Sequence, residues 1–169
     1  MSCCFFWYRK HVLSGTDDSI PIFDLSRYEG YAQITSVYDG DTFNACIFKH
    51  GKILKFKFRT LGYDAPELKP SLQLEDRENH VRMAKVAREN FKRLCDFDPT
   101  RPHSWWNPFK CQWATNGWIW IKCGKNDKYG RPLVTVYRRK GDKLSVNDKM
   151  IALGANRYEG GKKEDFTFV

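Results

Sequence analysis

Period-two alternation is clearest from Leu54 to Arg59, where Leu54, Phe56 and Phe58 fall on one face and Lys55, Lys57 and Arg59 on the other. Residues 32–37 and 42–48 read as the two arms of a preceding hairpin, joined through Tyr38-Asp39-Gly40-Asp41. Asp-Gly is a strong hairpin signal, because both central positions of a type I′ turn need φ > 0 and these residues tolerate it best. The turn leaves Asp41 at the head of the outgoing strand. His50-Gly51-Lys52 predicts the next turn, which leads into the strand carrying Arg59 and completes a three-stranded meander. Pro66 removes a ladder donor and ends that strand, so Asp64 and Glu67 are expected at its end.

The period then changes. Over residues 79–95, Val81, Ala84, Ala87, Phe91 and Leu94 recur at three- and four-residue steps with Arg82, Lys85, Arg88, Lys92 and Arg93 between them, which predicts a helix with its apolar stripe on the sheet. Residues 96–117 hold three prolines and three tryptophans and read as an irregular excursion. Two readings of Trp105, Trp106 and Trp113 stay open: stacking on unpaired bases beside Arg101, His103 and Lys110, or covering the end of the fold as local core. Strands follow at 118–123 and 133–137, with Lys128-Tyr129-Gly130-Arg131 in the turn between them and Lys140-Gly141-Asp142 in the next. Ser145 and Asp148 form a capping box before a short helix that Gly154 stops. Five strands with a helix after the third and a short C-terminal helix describe an α+β fold, a five-stranded OB-fold β-barrel.

Composition narrows the partners. The 169 residues fit one domain, and 29 Lys and Arg against 20 Asp and Glu give a net charge of +9, which suits a polyanion, with nucleic acid foremost. Six cysteines show neither a C-x-x-C pair nor finger-like spacing to His11, His50, His80 or His103, so a structural zinc site is not expected. The first ten residues lack a basic region before their apolar run and a small-residue cleavage site, and no stretch is long enough to span a membrane. The expectation is an intracellular protein with reduced thiols. Cys3 and Cys4 offer an S-acylation site without a glycine at position 2 for myristoylation, although a packed arm is the preferred reading of this segment.

The polar residues carry a resemblance. Asp39-Gly40-Asp41-Thr42, then Phe58-Arg59 with Asp64-Ala65-Pro66-Glu67, then Asp127-Lys128-Tyr129-Gly130-Arg131 resemble, in order and spacing, the motif set of the staphylococcal nuclease (thermonuclease) family. The likeness runs from about residue 32 to 155, interrupted by the excursion at 96–117. It implies a barrel domain over residues 31–158, preceded by an N-terminal arm (1–30) and followed by a tail (159–169).

The resemblance further implies a Ca²⁺-dependent nuclease hydrolysing phosphodiester bonds of DNA and RNA. Cleavage would be endonucleolytic, prefer single strands and leave 3′-phosphate ends. Asp41, Asp64 and the main-chain carbonyl of Ala65 would hold the metal, the family usually having threonine where Ala65 stands. Glu67 would be the general base or position the attacking water. Arg59 and Arg131 would grip the phosphate, Lys128 and Tyr129 would contact the substrate, and Asp39 would support the ligands from behind. The alternative is a non-catalytic nucleic-acid-binding barrel of the kind found as degenerate nuclease repeats. The family's usual third helix does not fit residues 156–169, so Phe5, Phe6, Trp7 and Tyr8 of the arm are expected to cover the surface it would protect.

Overall fold

A computed structural model describes residues 13–14, 16, 24–74, 76–102, 104–107 and 112–158, with the backbone alone described at 104–107 and 112–115. The S-acylation site, the proposed packing of the N-terminal arm and the tail lie outside these residues, as do the side chains of Trp105, Trp106 and Trp113.

Five strands close a barrel in the order β1 (Glu29–Val37), β2 (Thr42–Lys49), β3 (Lys52–Thr60), β8 (Pro132–Tyr137), β7 (Trp118–Asn126), with β7 returning to β1. All pairs are antiparallel except β3 and β8, which meet at Arg59 opposite Leu133 and Thr60 opposite Val134. A helix, α1 (Arg77–Leu94), is inserted after the meander and a second, α2 (Val146–Ala152), follows β8. This is the expected α+β barrel of OB-fold topology. Alternation sorts the side chains as anticipated: Ile34, Phe43, Ala45, Phe58, Ile119, Ile121, Val134 and Val136 are buried inside. Phe91 of α1 closes one end, its ring 5.3 Å from that of Phe43. Burying such rings is worth about 1.5–3 kcal/mol each.

α2 is docked by chemistry as well as by its apolar residues. The Asn147 amide donates to the carbonyls of Leu61 (2.7 Å) and Val134 (3.1 Å) and accepts from the Val136 N–H (2.9 Å). Those three groups sit at the end of the β3–β8 pairing, where the Val134 carbonyl also accepts from the Leu61 N–H (2.8 Å), and Asn147 ties the helix to both strands there. The Ser145 and Asp148 capping box is present, and Gly154 takes a φ of 101° just past the helix end.

Three expectations are corrected. The turn at Asp39-Gly40 is not type I′, since neither residue has a positive φ; that conformation occurs at His50 (51°) and Gly51 (72°) in the next hairpin. Glycine is needed at position 40 for a different reason: a Cβ there would lie 2.8 Å from the Cβ atoms of both Ala65 and Ala87. The β3 strand does not run on to Pro66. It stops at Thr60, the chain turns at Gly62 (φ 85°), and Asp64 lies on a separate two-residue strand, β4 (Tyr63–Asp64), paired with β9 (Asn156–Arg157).

The excursion is likewise not wholly irregular, because it contains a hairpin of β5 (Ser104–Asn107) and β6 (Gln112–Thr115). Its base is held by Asn116, which donates to the carbonyls of Asp98 (2.7 Å) and Arg101 (2.9 Å). Among the described residues no helix is long and apolar enough to cross a membrane.

Candidate active site

Asp41 ends the β1–β2 loop and is fixed before any ligand is considered. Its backbone carbonyl accepts from Thr60 N–H (2.9 Å), and its carboxylate accepts from Thr42 Oγ1 (2.8 Å) and from the Ala65 N–H (3.1 Å). The loop is tied down from below by Tyr63, whose hydroxyl donates to the Gly40 carbonyl (2.7 Å) from a fully buried position. Asp39, itself buried, accepts from the Asp41 N–H at 3.4 Å. Asp64 arrives from β4, one residue after the buried Tyr63.

Arg59 joins the two carboxylates. From the outer face of β3 its guanidinium contacts Asp41 at 3.0 and 3.2 Å and also donates to Asp64. Asp41 and Asp64 are only 2 and 3 % exposed, so two negative charges have been taken out of water beside one positive one. The imbalance is felt in titration. Burial first, and the Asp39 carboxylate second, push the Asp41 carboxyl up to about 6 in spite of Arg59. Burial acts to lower the Arg59 value, but Asp41 and Asp64 outweigh it and raise it.

The opposite wall is the loop between β7 and β8, folded around Asp127. Its carboxylate accepts from the backbone N–H groups of Tyr129 (2.8 Å) and Arg131 (2.9 Å) and from Arg131 Nε (2.6 Å). Partial burial acts against ionisation there, yet these donors, led by the Arg131 N–H, hold the Asp127 carboxyl below its ordinary value. Tyr129 is 71 % exposed, with Lys128 Nζ 5.0 Å and Arg131 Cζ 5.3 Å from its ring centroid.

Between these walls is a cavity of about 660 Å³. Each residue singled out from the sequence lines it: Asp39, Asp41, Arg59, Asp64, Ala65, Glu67, Lys128, Tyr129 and Arg131. Glu67 is exposed, at the mouth and one residue past Pro66. Ten further lining residues were not singled out as site residues, Lys69 among them, and five of these bear on how the site could have been read. Thr42 is adjacent to a named acid and Asp127 heads the turn, so both were within reach of the motif. Lys57 shares a strand face with Arg59, and Tyr38 precedes the Asp-Gly turn. Tyr158 had no local signal, because β9 brings it to the cavity.

The donor set is all oxygen, which suits a hard divalent cation such as Ca²⁺. Among the described residues no group of three or more His, Cys, Asp or Glu side chains gathers to hold a metal. Asp41 and Asp64 with one main-chain carbonyl would therefore leave most of an ion's coordination to water and to the ligand. Burial is the main reason the Asp41 carboxyl stands high, and a cation beside it would favour the ionised form.

No protein-family model matches the chain, and no curated protein matches it.

Proposed function

We propose that this chain is a metal-dependent nuclease that hydrolyses phosphodiester bonds of DNA and RNA, with Ca²⁺ as its cofactor and unpaired strands preferred. One observation carries the reading. Two buried carboxylates, two arginines, an exposed glutamate and a cation-flanked tyrosine, drawn from stretches far apart in the chain, converge on one cavity. The resemblance to the staphylococcal nuclease motif set supplies the reaction class.

Asp41, Asp64 and the Ala65 carbonyl would hold the ion. When bound, a hard cation there supplies Lewis-acid polarisation of a phosphoryl oxygen. The chain's own residues do the remainder. Glu67 takes a proton from the attacking water as the water oxygen bonds to phosphorus; the bond from phosphorus to the 5′-oxygen breaks, its electron pair goes to that oxygen, which takes a proton from solvent, and the phosphate stays on the 3′ end. Arg59 and Arg131 face the phosphate from opposite walls and offset the charge that develops on its equatorial oxygens, for which a planar, always-charged fork is well suited. The Asp127 carboxylate keeps the Arg131 fork aimed by engaging its Nε.

A second reading, a nucleic-acid-binding barrel without catalysis, has its own support: Arg59 already answers both carboxylates, and no three-carboxylate group is present among the described residues. Plasmid nicking with Ca²⁺, Mg²⁺, Mn²⁺ and chelator separates the two. The nuclease reading expects cleavage with Ca²⁺ and none with chelator. Glu67→Gln should lower kcat about 10²- to 10⁴-fold with metal and substrate affinity nearly unchanged. Arg131→Lys should also lose mainly kcat. Wild-type protein inert with every metal would leave the binding module as the better account.

A further inference from the structure

The outer face of β3 carries Lys55, Lys57 and Arg59 in succession toward the cavity, and Lys57 lines its wall. Lys55 and Lys57 are exposed and make no ion pair among the described residues, whereas Lys92, Arg101, Lys122 and Arg138 elsewhere on the surface each have a carboxylate partner. No acid stands opposite Lys57 on the neighbouring strand. Its cross-strand neighbour is Asn44, whose amide donates to Ser36 Oγ (2.9 Å).

The ammonium rests 5.2 Å from the centroid of the Tyr38 ring, which is 48 % exposed and lines the same cavity. Such a contact steadies a flexible lysine without neutralising it. Alternate residues on a strand lie about 6.5–7 Å apart, comparable to the interval between successive phosphates of an extended single strand. A row of cations at that spacing, ending at the arginine expected to face the scissile phosphate, tracks a polyanion.

Resting on the nuclease reading for its register, we infer that Lys57, positioned by Tyr38, binds the phosphate adjacent to the scissile one, so that the site reads a strand of at least two consecutive phosphates running along β3. The contact favours one side of the scissile bond. A dinucleotide carrying a terminal phosphate on that side is the better substrate, and the exposed Tyr38 ring is a wall against which the attached base can lie.

Two measurements test this. In chelator, binding of a single-stranded oligonucleotide is followed against salt for the wild type, Lys57→Met, Lys57→Arg and, as a charge control outside the cavity, Lys143→Met. The slope of log K against log salt should become shallower by about 0.7 in Lys57→Met, the share of one single-strand phosphate, and stay at the wild-type value in Lys57→Arg and Lys143→Met. Equal slopes for wild type and Lys57→Met overturn the inference.

With Ca²⁺, kcat/KM is compared for a dinucleoside monophosphate and for the same molecule bearing a 5′- or a 3′-terminal phosphate. One of the two should be cleaved about three- to tenfold better by the wild type. That ratio should fall to about one in Lys57→Met and be reduced in Tyr38→Leu. A ratio of one in the wild type, or one that survives in Lys57→Met, overturns the inference. If neither the dinucleotides nor a plasmid is cleaved while the salt slope responds to Lys57, the nuclease reading fails and the phosphate contact stands.

Discussion

Arg59 offers the sharpest test of how the acidic site is held together. Replacing it with methionine keeps most of the stem and removes the guanidinium, leaving Asp41 and Asp64 buried without their shared cation. Removing one partner of a buried ion pair costs about 3–5 kcal/mol. Two features reduce that here: the Arg59 side chain is 18 % exposed, and Asp41 keeps its bonds from Thr42 Oγ1 and the Ala65 N–H. The expected loss is about 2–3 kcal/mol, or roughly 4–12 °C in Tm for a domain of this size.

Because the guanidinium and a bound ion answer the same charges, Ca²⁺ should then stabilise the variant more than the wild type. A ligand at one hundred times its Kd contributes about 2.7 kcal/mol, enough to return most of the loss. Thermal unfolding followed by circular dichroism, in chelator and in saturating Ca²⁺, reads both effects. Equal Tm values for wild type and Arg59→Met in chelator would refute the reasoning. So would a Ca²⁺-induced shift of the same size in both.

The Asp41 carboxyl is raised to about 6 against an ordinary 3.8, so its proton favours the folded state; that contribution is full below pH 3.8 and is lost as pH rises through 6. Relative to Asp41→Asn, metal-free wild type should therefore lose stability between pH 4.5 and 7.5, and Ca²⁺ affinity by calorimetry should be about tenfold weaker at pH 5 than at pH 7.5, as the proton competes for the ligand. Gly40→Ala inserts a methyl 2.8 Å from Ala65 and Ala87 and should cost about 1–3 kcal/mol in chemical denaturation, with lower Ca²⁺ affinity because Ala65 follows Asp64 directly. Asp127→Ala releases the Tyr129 and Arg131 backbone and the Arg131 fork together. It should lower kcat about as far as Arg131→Lys while leaving Ca²⁺ affinity unchanged.

The barrel was legible because its strands bury one face each, so alternation at Leu54 to Arg59 carries over directly into exposure. The long helix was legible because its stripe repeats for four turns, and the short one because Ser145 and Asp148 satisfy each other. Other features depend on partners remote in sequence. Nothing near Gly40 announces that Ala87 will press against it. The break at Gly62 separates two strands that read as one, since pairing of Tyr63 and Asp64 with residues 156 and 157 is invisible locally. Polar motif residues could be collected on one cavity from their resemblance alone, whereas Lys57 needed the strand face and Tyr38 the neighbouring loop.

The pairing of β4 with β9 makes completion of the acidic site a late event. Asp41 and Arg59 belong to a local hairpin and can meet as soon as β2 and β3 zip together, at a small cost in loop closure. Asp64 is held to its place by backbone bonds to a segment that comes only after the second helix, with Tyr158 N–H capping the arrangement on the Gly62 carbonyl (3.1 Å). A chain with the barrel formed and this last strip undocked has its arginine and one carboxylate in position and the other, Asp64, held through Arg59 and its own neighbours Tyr63 and Ala65. The acidic cluster is thus complete only once the chain has closed on its last strand, and loosening residues 156–158 should free the backbone of Tyr63 and Asp64 while leaving the pairing of the five barrel strands in place.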